Sequence, residues 1–368
     1  MDNKVYFHDT TLRDGEQTPG VSFSKSVRKE IAKQLDELGV DIIELGFAAS
    51  SKEQRNAMRA VVEEGLKAKT LSLSRPLKND IDAVLESGVD GIILVLGFSD
   101  IHLNYKLKKT FDEAVYMMES SVAYAKEHGL YVQISLEDGT RTQDERIKKV
   151  ALMGEKYNID RICISDTIGI GTPEIIKNKV IELQHNSKIP VSVHCHNDFG
   201  LATINSVSAV LGGCRNLAVT MNGLGERTGN ASLEQCAMVL TQLYDYETNI
   251  HLNKLIETSR FIAERAGLTP EPMHPIIGSN CFKHESGIHV DGILKNNKCY
   301  EPYPPELVGG NMEIVLGKTN GIAAIRFLAQ KENIQLSDQE CRVILKNIQD
   351  KCENGQAINI GMVKGEMK

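Results

Sequence analysis

The chain has 368 residues, with 42 basic and 49 acidic side chains, so its formal net charge is −7. No long run of either sign occurs, aromatic residues make up only 5%, and tryptophan is absent, which argues against binding to nucleic acid or an anionic membrane. The start lacks a signal-peptide pattern, no apolar run approaches the roughly 20 residues of a membrane span, and the eight cysteines include no C-x-x-C pair. We therefore expect a cytoplasmic protein with reduced thiols.

Short β-branched runs alternate with stretches of helical period, and this alternation occurs eight times. The runs predicted as strands are 5–10, 41–47, 70–75, 91–97, 131–138, 161–166, 190–196 and 217–222. Strict alternation predicts parallel strands, and eight units fill one closed (β/α)8 TIM barrel. A doubly wound open sheet is the alternative, but no G-x-G-x-x-G follows the first strand as a dinucleotide fold would require.

The helical stretches carry recognisable start and stop signals. In SKSVRKEIAKQLDELG, apolar residues repeat at helical spacing between Ser24, a suitable N-cap, and Gly39, a suitable C-terminal residue. The stretch ending at Gly129 has the same form, and Thr172 before Pro173 predicts another helix start.

The rhythm changes after about residue 249. One more helix is predicted over 250–267, followed by two irregular proline-containing stretches and then helices over roughly 319–331 and 337–352. We therefore predict a catalytic barrel over 1–275 and a small, mainly helical C-terminal subdomain over 276–368, without a regulatory domain.

Polar residues concentrate where the predicted strands end, the edge at which TIM barrels place their active sites. They are Asp9, Arg13, Asp14, Gln17, Glu44, Arg75, Glu137, Asp138, Asp166, Thr167, His194, His196, Asn197, Asn222, Glu226, Arg227 and Asn230. Burying such groups on strands is costly without partners. A functional site explains the set, although Glu44 and Arg75 could instead form an ion pair that braces the barrel.

The stretch VSVHCHND places His194 and His196 two residues apart on strand 7. Residues two apart on a strand share a face, so both imidazoles can converge on one point. Alone the pair could equally be structural, but Asp14 at the end of strand 1 can supply a carboxylate oxygen. Such mixed ligation suits Zn, Mn, Co or Mg without choosing among them, and Arg13 could stabilise negative charge on a substrate oxygen.

Several stretches together resemble one family of acyltransferases, the 2-isopropylmalate, homocitrate and citramalate synthases, which condense acetyl-CoA with a 2-oxo acid. The matching stretches are HDTTLRDGEQTPG, SLSRPLKNDID, SDIHLNYKLKKT, SDTIG, VHCHNDFGLA, NGLGERTGNASLE and HESGIHVDGILKN. The resemblance implies a Claisen condensation assisted by a divalent metal ion.

The resemblance also implies roles for individual residues. Asp14, His194 and His196 would bind the metal ion, with Asn230 as a nearby or fourth ligand. The other implied roles are polarisation of the 2-oxo group by Arg13, substrate contacts by Gln17 and Thr167, and enolisation and proton transfer by Glu137, His289 and Tyr300. In this family the C-terminal subdomain reaches over a partner's barrel, so we expect a homodimer in which His289 and Tyr300 act in trans.

Two other functions compete with this interpretation. Hydroxymethylglutaryl-CoA lyase shares the barrel and the metal ligands but carries a cysteine-bearing loop where this chain reads GLGERTGNAS. A catalytically silent barrel that only binds metal is the non-enzymatic alternative, and the intact set of proton-transfer residues argues against it.

The identity of the 2-oxo acid depends on strands 3 to 5, where we expect Leu73, Ile93, Gln133 and Ser135 to contact its far end. None is basic, which favours an uncharged substrate, since a second carboxylate would need a partner. The run GFAASSKEQRNAMRAV and the short tail instead resemble compact homocitrate synthases. We therefore expect homocitrate synthase, which uses 2-oxoglutarate, with 2-isopropylmalate synthase (2-oxoisovalerate) and citramalate synthase (pyruvate) as alternatives.

One departure from the family pattern lies in the C-terminal subdomain. The chain reads GKTNG where relatives commonly read GKHSG, so Thr319 stands at the usual histidine. If that histidine supports the acetyl-CoA site or the dimer contact, Thr319 changes one of them.

Overall fold

The structure is a computed structural model that describes residues 3–356, together with residues 358 and 365. Its backbone packing divides the chain into two compact units, residues 1–270 and 271–368. The part of the expected C-terminal subdomain at 357, 359–364 and 366–368 lies outside the described residues. No helix among the described residues is long and apolar enough to cross a membrane.

The first unit is a closed barrel of eight parallel strands in chain order. They are β1 (Tyr6–Asp9), β2 (Ile42–Phe47), β3 (Lys69–Ser74), β4 (Gly91–Gly97), β5 (Tyr131–Glu137), β6 (Arg161–Asp166), β7 (Val191–Cys195) and β8 (Asn216–Val219). Strand β1 pairs with both β2 and β8, which closes the barrel and confirms the predicted TIM fold.

Helices follow the strands and cover the outside of the barrel. They are α1 (Lys25–Leu38), α2 (Lys52–Val62), α3 (Lys78–Ser87), α4 (Phe111–Glu127), α5 (Asp144–Lys156), α6 (Pro173–Asn186), α7 (Ala202–Leu211), α8 (Leu233–Leu243) and α9 (Leu255–Arg265). The predicted caps are present: Ser24 accepts a hydrogen bond from Val27 N, Thr172 accepts one from Ile175 N, and Gly39 is left-handed. Buried apolar side chains such as Leu35 each stabilise this packing by about 1.5–3 kcal/mol.

Strand β8 is shorter than the predicted 217–222. It ends at Val219 because Asn222 has a positive φ of 62° inside a short 3-10 turn, Met221–Gly223. The Asn222 side chain donates to Ser259 O and accepts from Ser259 Oγ, so it ties the turn to α9 instead of facing the barrel mouth.

The second unit contains three α-helices and a two-stranded parallel ribbon among its described residues. The elements are β9 (Lys283–His284), α10 (Gly287–Lys295), β10 (Glu313–Ile314), α11 (Ile322–Lys331) and α12 (Asp338–Glu353). Val290, Ile325, Ile344 and Ile348 form part of its own apolar core.

Helix α11 begins three residues later than predicted because residues 317–320 form a tight turn. Thr319 O accepts a hydrogen bond from Gly287 N, while the buried Asn320 side chain accepts from Gly317 N and donates to Glu285 O and Val315 O. Thr319 itself is exposed, and its hydroxyl contacts Glu285 Oε1 at 3.3 Å.

Candidate active site

A polar pocket of about 280 Å³ lies at the carboxyl ends of the barrel strands. Its lining consists of Arg13, Asp14, Gln17, Leu73, Val95, Ser135, Glu137, Ser165, Thr167, His194, His196, Glu226 and Arg227. These residues come from the ends of β1 and β3 to β7 and from the segment after β8. The pocket therefore contains eleven of the residues that the sequence analysis selected for the site.

Asp14, His194 and His196 converge on one point of this pocket. Asp14 Oδ2 lies 3.4 Å from His194 Nε2 and 3.9 Å from His196 Nε2, and the two Nε2 atoms are 3.3 Å apart. All three side chains are buried, and each offers one ligand atom within 4.8 Å of the others. Ligands about 2.1 Å from a shared ion are separated by roughly these distances, so the donor set fits a divalent metal ion.

The other oxygen of Asp14 is held from the segment after β8. Asp14 Oδ1 accepts hydrogen bonds from Glu226 N (3.1 Å) and Asn230 Nδ2 (3.0 Å). Asn230 Nδ2 also donates to Leu224 O, whereas the buried Asn230 Oδ1 has no hydrogen-bond partner among the described residues. Asn230 thus braces Asp14 from outside the pocket lining and retains a free oxygen for an ion.

Gly225 makes this arrangement possible. A Cβ atom on Gly225 would lie 2.1 Å from Asn230 Nδ2 and 2.8 Å from Asp14 Oδ1. Any side chain here would displace the bracing amide or the carboxylate.

Arg13 bridges the Asp14 carboxylate to Glu44, a fully buried residue of β2. Its Nη1 donates to Asp14 Oδ2 at 2.5 Å, while Nε and Nη2 donate to the two Glu44 oxygens at 2.7 and 3.2 Å. Arg75 instead pairs with Asp80, so the proposed Glu44–Arg75 brace is not formed. Of the five N–H groups of Arg13, two remain for a substrate oxygen.

The charges of the site shift several pKa values. Burial alone would raise the pKa of Asp14, but the Arg13 guanidinium and the imidazoles outweigh burial and hold it well below its usual range. Burial raises the pKa of Glu44 despite the opposing effect of Arg13. Burial, with a smaller contribution from His194, lowers the pKa of His196 to about 3, so this imidazole is neutral and has a lone pair available.

The pocket wall on β3 to β6 is formed by Leu73, Val95, Ser135 and Ser165. The Ser135 and Ser165 hydroxyls are 3.0 Å apart. Ile93 and Gln133 do not line the pocket: they precede Val95 and Ser135 by two residues on β4 and β5, pair with each other in register, and lie one layer deeper. Ile93 packs there with Ile42 and Leu71.

Glu137 reaches the pocket from the end of β5. Both of its carboxylate oxygens lie 2.6 Å from Lys106 Nζ, and one lies 3.4 Å from His102 Nδ1. Thr167 on the next strand end accepts a hydrogen bond from the peptide N–H of Asp138. Gln17 is exposed at the rim.

Other polar residues at the strand ends hold loops in place. Asp9 accepts from Thr11 N and Oγ1, Asp166 accepts from Thr140 Oγ1 and two backbone amides, and Asn197 caps Ala202 N. Arg227 lines the pocket but forms a two-bond pair with Asp198.

His289 and Tyr300 belong to the second unit. Their rings stack with centroids 4.1 Å apart and an interplanar angle of 22°. Tyr300 is 39% exposed. The two residues expected to act in proton transfer are therefore brought together within their own unit.

The sequence analysis did not select Val95, Ser165 or Lys106. Strand periodicity could have found the first two, because Val95 and Ser165 each follow an inward-facing residue by two positions. Nothing local marks Lys106, since its partner Glu137 is 31 residues away in the chain.

The chain is similar in sequence to known protein families and to curated proteins. Residues 4–262 match the HMGL-like family, and residues 276–356 match the homocitrate synthase post-HMGL domain-like family. Among curated relatives, (R)-citramalate synthase of Methanocaldococcus jannaschii is 47% identical over 96% of this chain and 72% of its own length. A 2-isopropylmalate synthase of Sulfurisphaera tokodaii is 44% identical over 98% of this chain and 94% of its own. A homocitrate synthase of Methanothermobacter thermautotrophicus is 40% identical over 97% of this chain and 91% of its own length.

Solved structures share the barrel. The HMG-CoA lyase of Bacillus subtilis superposes with a TM-score of 0.65 at 20% identity, covering 73% of this chain and 97% of the lyase. An HMG-CoA lyase of Acinetobacter baumannii, in complex with coenzyme A and 3-methylmalate, superposes with a TM-score of 0.64 at 19% identity. The match covers 73% of this chain and 93% of the lyase. At these identities the likeness establishes the fold.

Proposed function

Because the chain belongs to the HMGL-like family and, within it, to the citramalate, homocitrate and 2-isopropylmalate synthases, we propose that it condenses acetyl-CoA with a 2-oxo acid. The observation that carries this proposal is the convergence of Asp14, His194 and His196 beside Arg13 and Glu137 in one pocket. The acetyl methyl group loses a proton, its carbon bonds to the 2-oxo carbon, and hydrolysis of the thioester releases CoA.

Asp14, His194 and His196 would hold the divalent ion, with Asn230 behind them. When bound, the ion supplies Lewis-acid polarisation of the 2-oxo acid. Arg13 faces the same place with two free N–H groups, and its ion pairs with Glu44 and Asp14 fix its orientation before substrate arrives. Donors fixed in this way stabilise the negative charge that develops on the former carbonyl oxygen.

We assign removal of the methyl proton to Glu137, because its carboxylate lines the same pocket as Asp14, His194 and His196. We assign the stacked pair His289 and Tyr300 to the later proton transfers, supplied by the second unit of the partner subunit in a homodimer. The Thr167 hydroxyl at the pocket edge serves the carboxylate of the 2-oxo acid.

The wall of the pocket supports a 2-oxo acid with an uncharged side chain, pyruvate or 2-oxoisovalerate. Leu73 and Val95 are apolar, and the two guanidinium groups of the lining are already paired, Arg13 with Glu44 and Asp14 and Arg227 with Asp198. A buried second carboxylate without a cation would be costly. The 47% identity to a citramalate synthase supports pyruvate in particular.

One observation supports 2-oxoglutarate, the substrate expected from the sequence, as the second candidate. The paired hydroxyls of Ser135 and Ser165 lie in the pocket wall and could donate to a distal carboxylate. The match of residues 276–356 to a homocitrate synthase domain points the same way.

CoA release tests the proposal directly. Purified protein is supplied with acetyl-CoA, a divalent metal and, in turn, pyruvate, 2-oxoisovalerate and 2-oxoglutarate, and free thiol is followed. We expect release with one acid at least tenfold faster than with the others and none from Asp14→Asn. Binding of metal and acetyl-CoA without CoA release from any acid would contradict the proposal and favour a silent metal-binding barrel.

A further inference from the structure

The segment between β4 and α4 contains a π-helical turn, His102–Leu107, that the proposed chemistry leaves without a role. It lies in the stretch SDIHLNYKLKKT. Turns of this kind are rare and frequently occur at functional sites. The turn ends at Lys108 in a left-handed conformation, with a φ of 51°.

Lys106 from this turn holds the Glu137 carboxylate by both oxygens, each 2.6 Å from Nζ. The Lys106 side chain is 53% exposed and that of Glu137 is 22% exposed. Exposed ion pairs of this type contribute little to stability, because holding a long side chain in one geometry costs entropy. Stability alone does not account for the contact.

The turn is fixed to the end of β5 by a second connection. The buried Asp138, next to Glu137, accepts a hydrogen bond from Ser99 Oγ and is paired with Arg141. Ser99 Oγ in turn accepts from His102 N, at the start of the turn. Glu137, the last residue of β5, and Asp138, which follows it, are thus both bound by the connection between β4 and α4.

The close approach of His102 to β4 reinforces this placement. A Cβ atom on Gly97 would lie 2.2 Å from His102 Nδ1, so the imidazole packs directly on the glycine backbone. His102 Nδ1 also faces Glu137 Oε2 at 3.4 Å. Two side chains of the turn, Lys106 and His102, therefore approach the Glu137 carboxylate.

We propose that Lys106 is a positioning residue for Glu137: it holds the carboxylate in the orientation in which one oxygen takes the acetyl methyl proton. This inference rests on the proposed function of Glu137. The proton moves from the methyl carbon to a Glu137 oxygen, and the electron pair left on carbon forms the new bond. Misplacing such a group by about 1 Å can cost 100-fold in rate.

Steady-state kinetics of Lys106→Met, Lys106→Arg and Lys109→Met test the proposal. Lys109 is an exposed lysine of the same connection and serves as the matched control. We expect Lys106→Met to lower kcat by about 10- to 100-fold while the KM for the 2-oxo acid stays within about twofold. Lys106→Arg should recover most of the rate, and Lys109→Met should match the wild type.

A double-mutant cycle with Glu137→Gln separates positioning from a general structural effect. If Lys106 acts through Glu137, adding Lys106→Met to Glu137→Gln should lower the rate no further. If the rate losses of Lys106→Met and Glu137→Gln multiply in the double variant, the proposal is overturned. Wild-type kinetics of Lys106→Met would also overturn it.

Crystal structures of the wild type, Lys106→Met and Lys109→Met test whether Lys106 positions the Glu137 carboxylate without relying on an activity assay. We expect the Glu137 carboxylate to be displaced in Lys106→Met alone. An unmoved carboxylate there would overturn the inference. If the wild type releases no CoA from any acid, the proposed function fails, and the crystal structures then decide only whether Lys106 positions the Glu137 carboxylate.

Discussion

The spacing of His194 and His196 predicts one part of the candidate metal site and leaves another part unpredicted. The two-residue spacing on a strand predicts that both imidazoles face one side, and the 3.3 Å between their Nε2 atoms agrees with this. The spacing alone could not predict the partner, because Asp14 follows another strand, β1, and reaches the pair only through closure of the barrel.

Replacing His196 by alanine should remove one of three ligands and release the metal ion. We expect at least 100-fold loss of activity and less than a tenth of the wild-type metal content by mass spectrometry. His185→Ala, at an exposed position of α6, is the control. An active, metal-loaded His196→Ala protein would refute the ligand assignment.

Gly225→Ala should weaken metal binding without removing any ligand. The added methyl group would force Asn230 or Asp14 away from its present position, so we expect roughly 10- to 100-fold weaker metal affinity in calorimetric titrations. Gly15→Ala is the matched control, since its Cβ would meet Leu224 and Thr11 at an ordinary 3.4 Å. Equal affinities for both variants would show that Asn230 does not support the site.

At the same scale, depth within the barrel was the hardest property to predict. The sequence analysis expected Ile93, Gln133 and Ser135 to contact the substrate, but only Ser135, together with Val95, which was not selected, lines the pocket. All four share the inward-facing periodicity, so periodicity cannot assign the layer. Layer depends on strand register, which is set by contacts between strands.

At the scale of elements, the starts of helices were predictable because their signals are local. Ser24 and Thr172 cap as expected. The end of β8 was not predictable from local sequence, because the left-handed conformation of Asn222 and its hydrogen bonds to Ser259 depend on the packing of α9. The π-helical turn likewise depends on contacts with β5.

The turn before α11 gives a prediction for the second unit. Asn320→Ala should leave one buried and two part-buried backbone groups without their side-chain partner, and we expect a loss of local stability of about 2 kcal/mol. Hydrogen exchange should accelerate in residues 283–287 and 315–321, with unchanged protection in the barrel strands. Thr319→Ala should have little effect because Thr319 is exposed; equal exchange in both variants would refute the role of Asn320.

At the scale of the whole molecule, buried imidazoles should make stability depend on pH. His8 is buried, and neither of its ring nitrogens has a hydrogen-bond partner among the described residues. Burial, followed by repulsion from Arg161 and Arg13, holds its pKa well below 6.5. Below pH 6.5 the unfolded chain binds a proton that the folded imidazole does not. Stability should therefore fall as pH falls, by about 2 kcal/mol at pH 5 from this group alone.

Urea unfolding of metal-free His8→Leu and wild-type protein at pH 5 and 7.5 measures this contribution. The variant should lose about 2 kcal/mol less than the wild type on acidification. His185→Gln should keep the wild-type dependence. An identical pH dependence in His8→Leu would contradict a neutral buried His8.

The proposed homodimer can be tested by mixing inactive variants. If Glu137 and His289 of one site come from different subunits, mixed dimers of Glu137→Gln and His289→Ala contain one intact site, and activity should return to about a quarter of the wild-type value. Mixing Glu137→Gln with Asp14→Asn, both in the barrel, should restore none. No recovery from the first mixture would place all these residues in one subunit.

The order of strands around the barrel separates the candidate metal-binding residues from the residues of the pocket wall. Asp14 and the histidines lie at the ends of β1 and β7, beside β8, whereas Leu73, Val95 and Ser135 lie on β3, β4 and β5 across the mouth. Because these two groups of residues share no strand, we expect substitutions in one group to leave the side chains of the other in place. If the pocket has the proposed function, exchange of a few wall residues can change the acceptor acid while Asp14, His194 and His196 stay the same, which would give a physical basis for three different synthases on one scaffold.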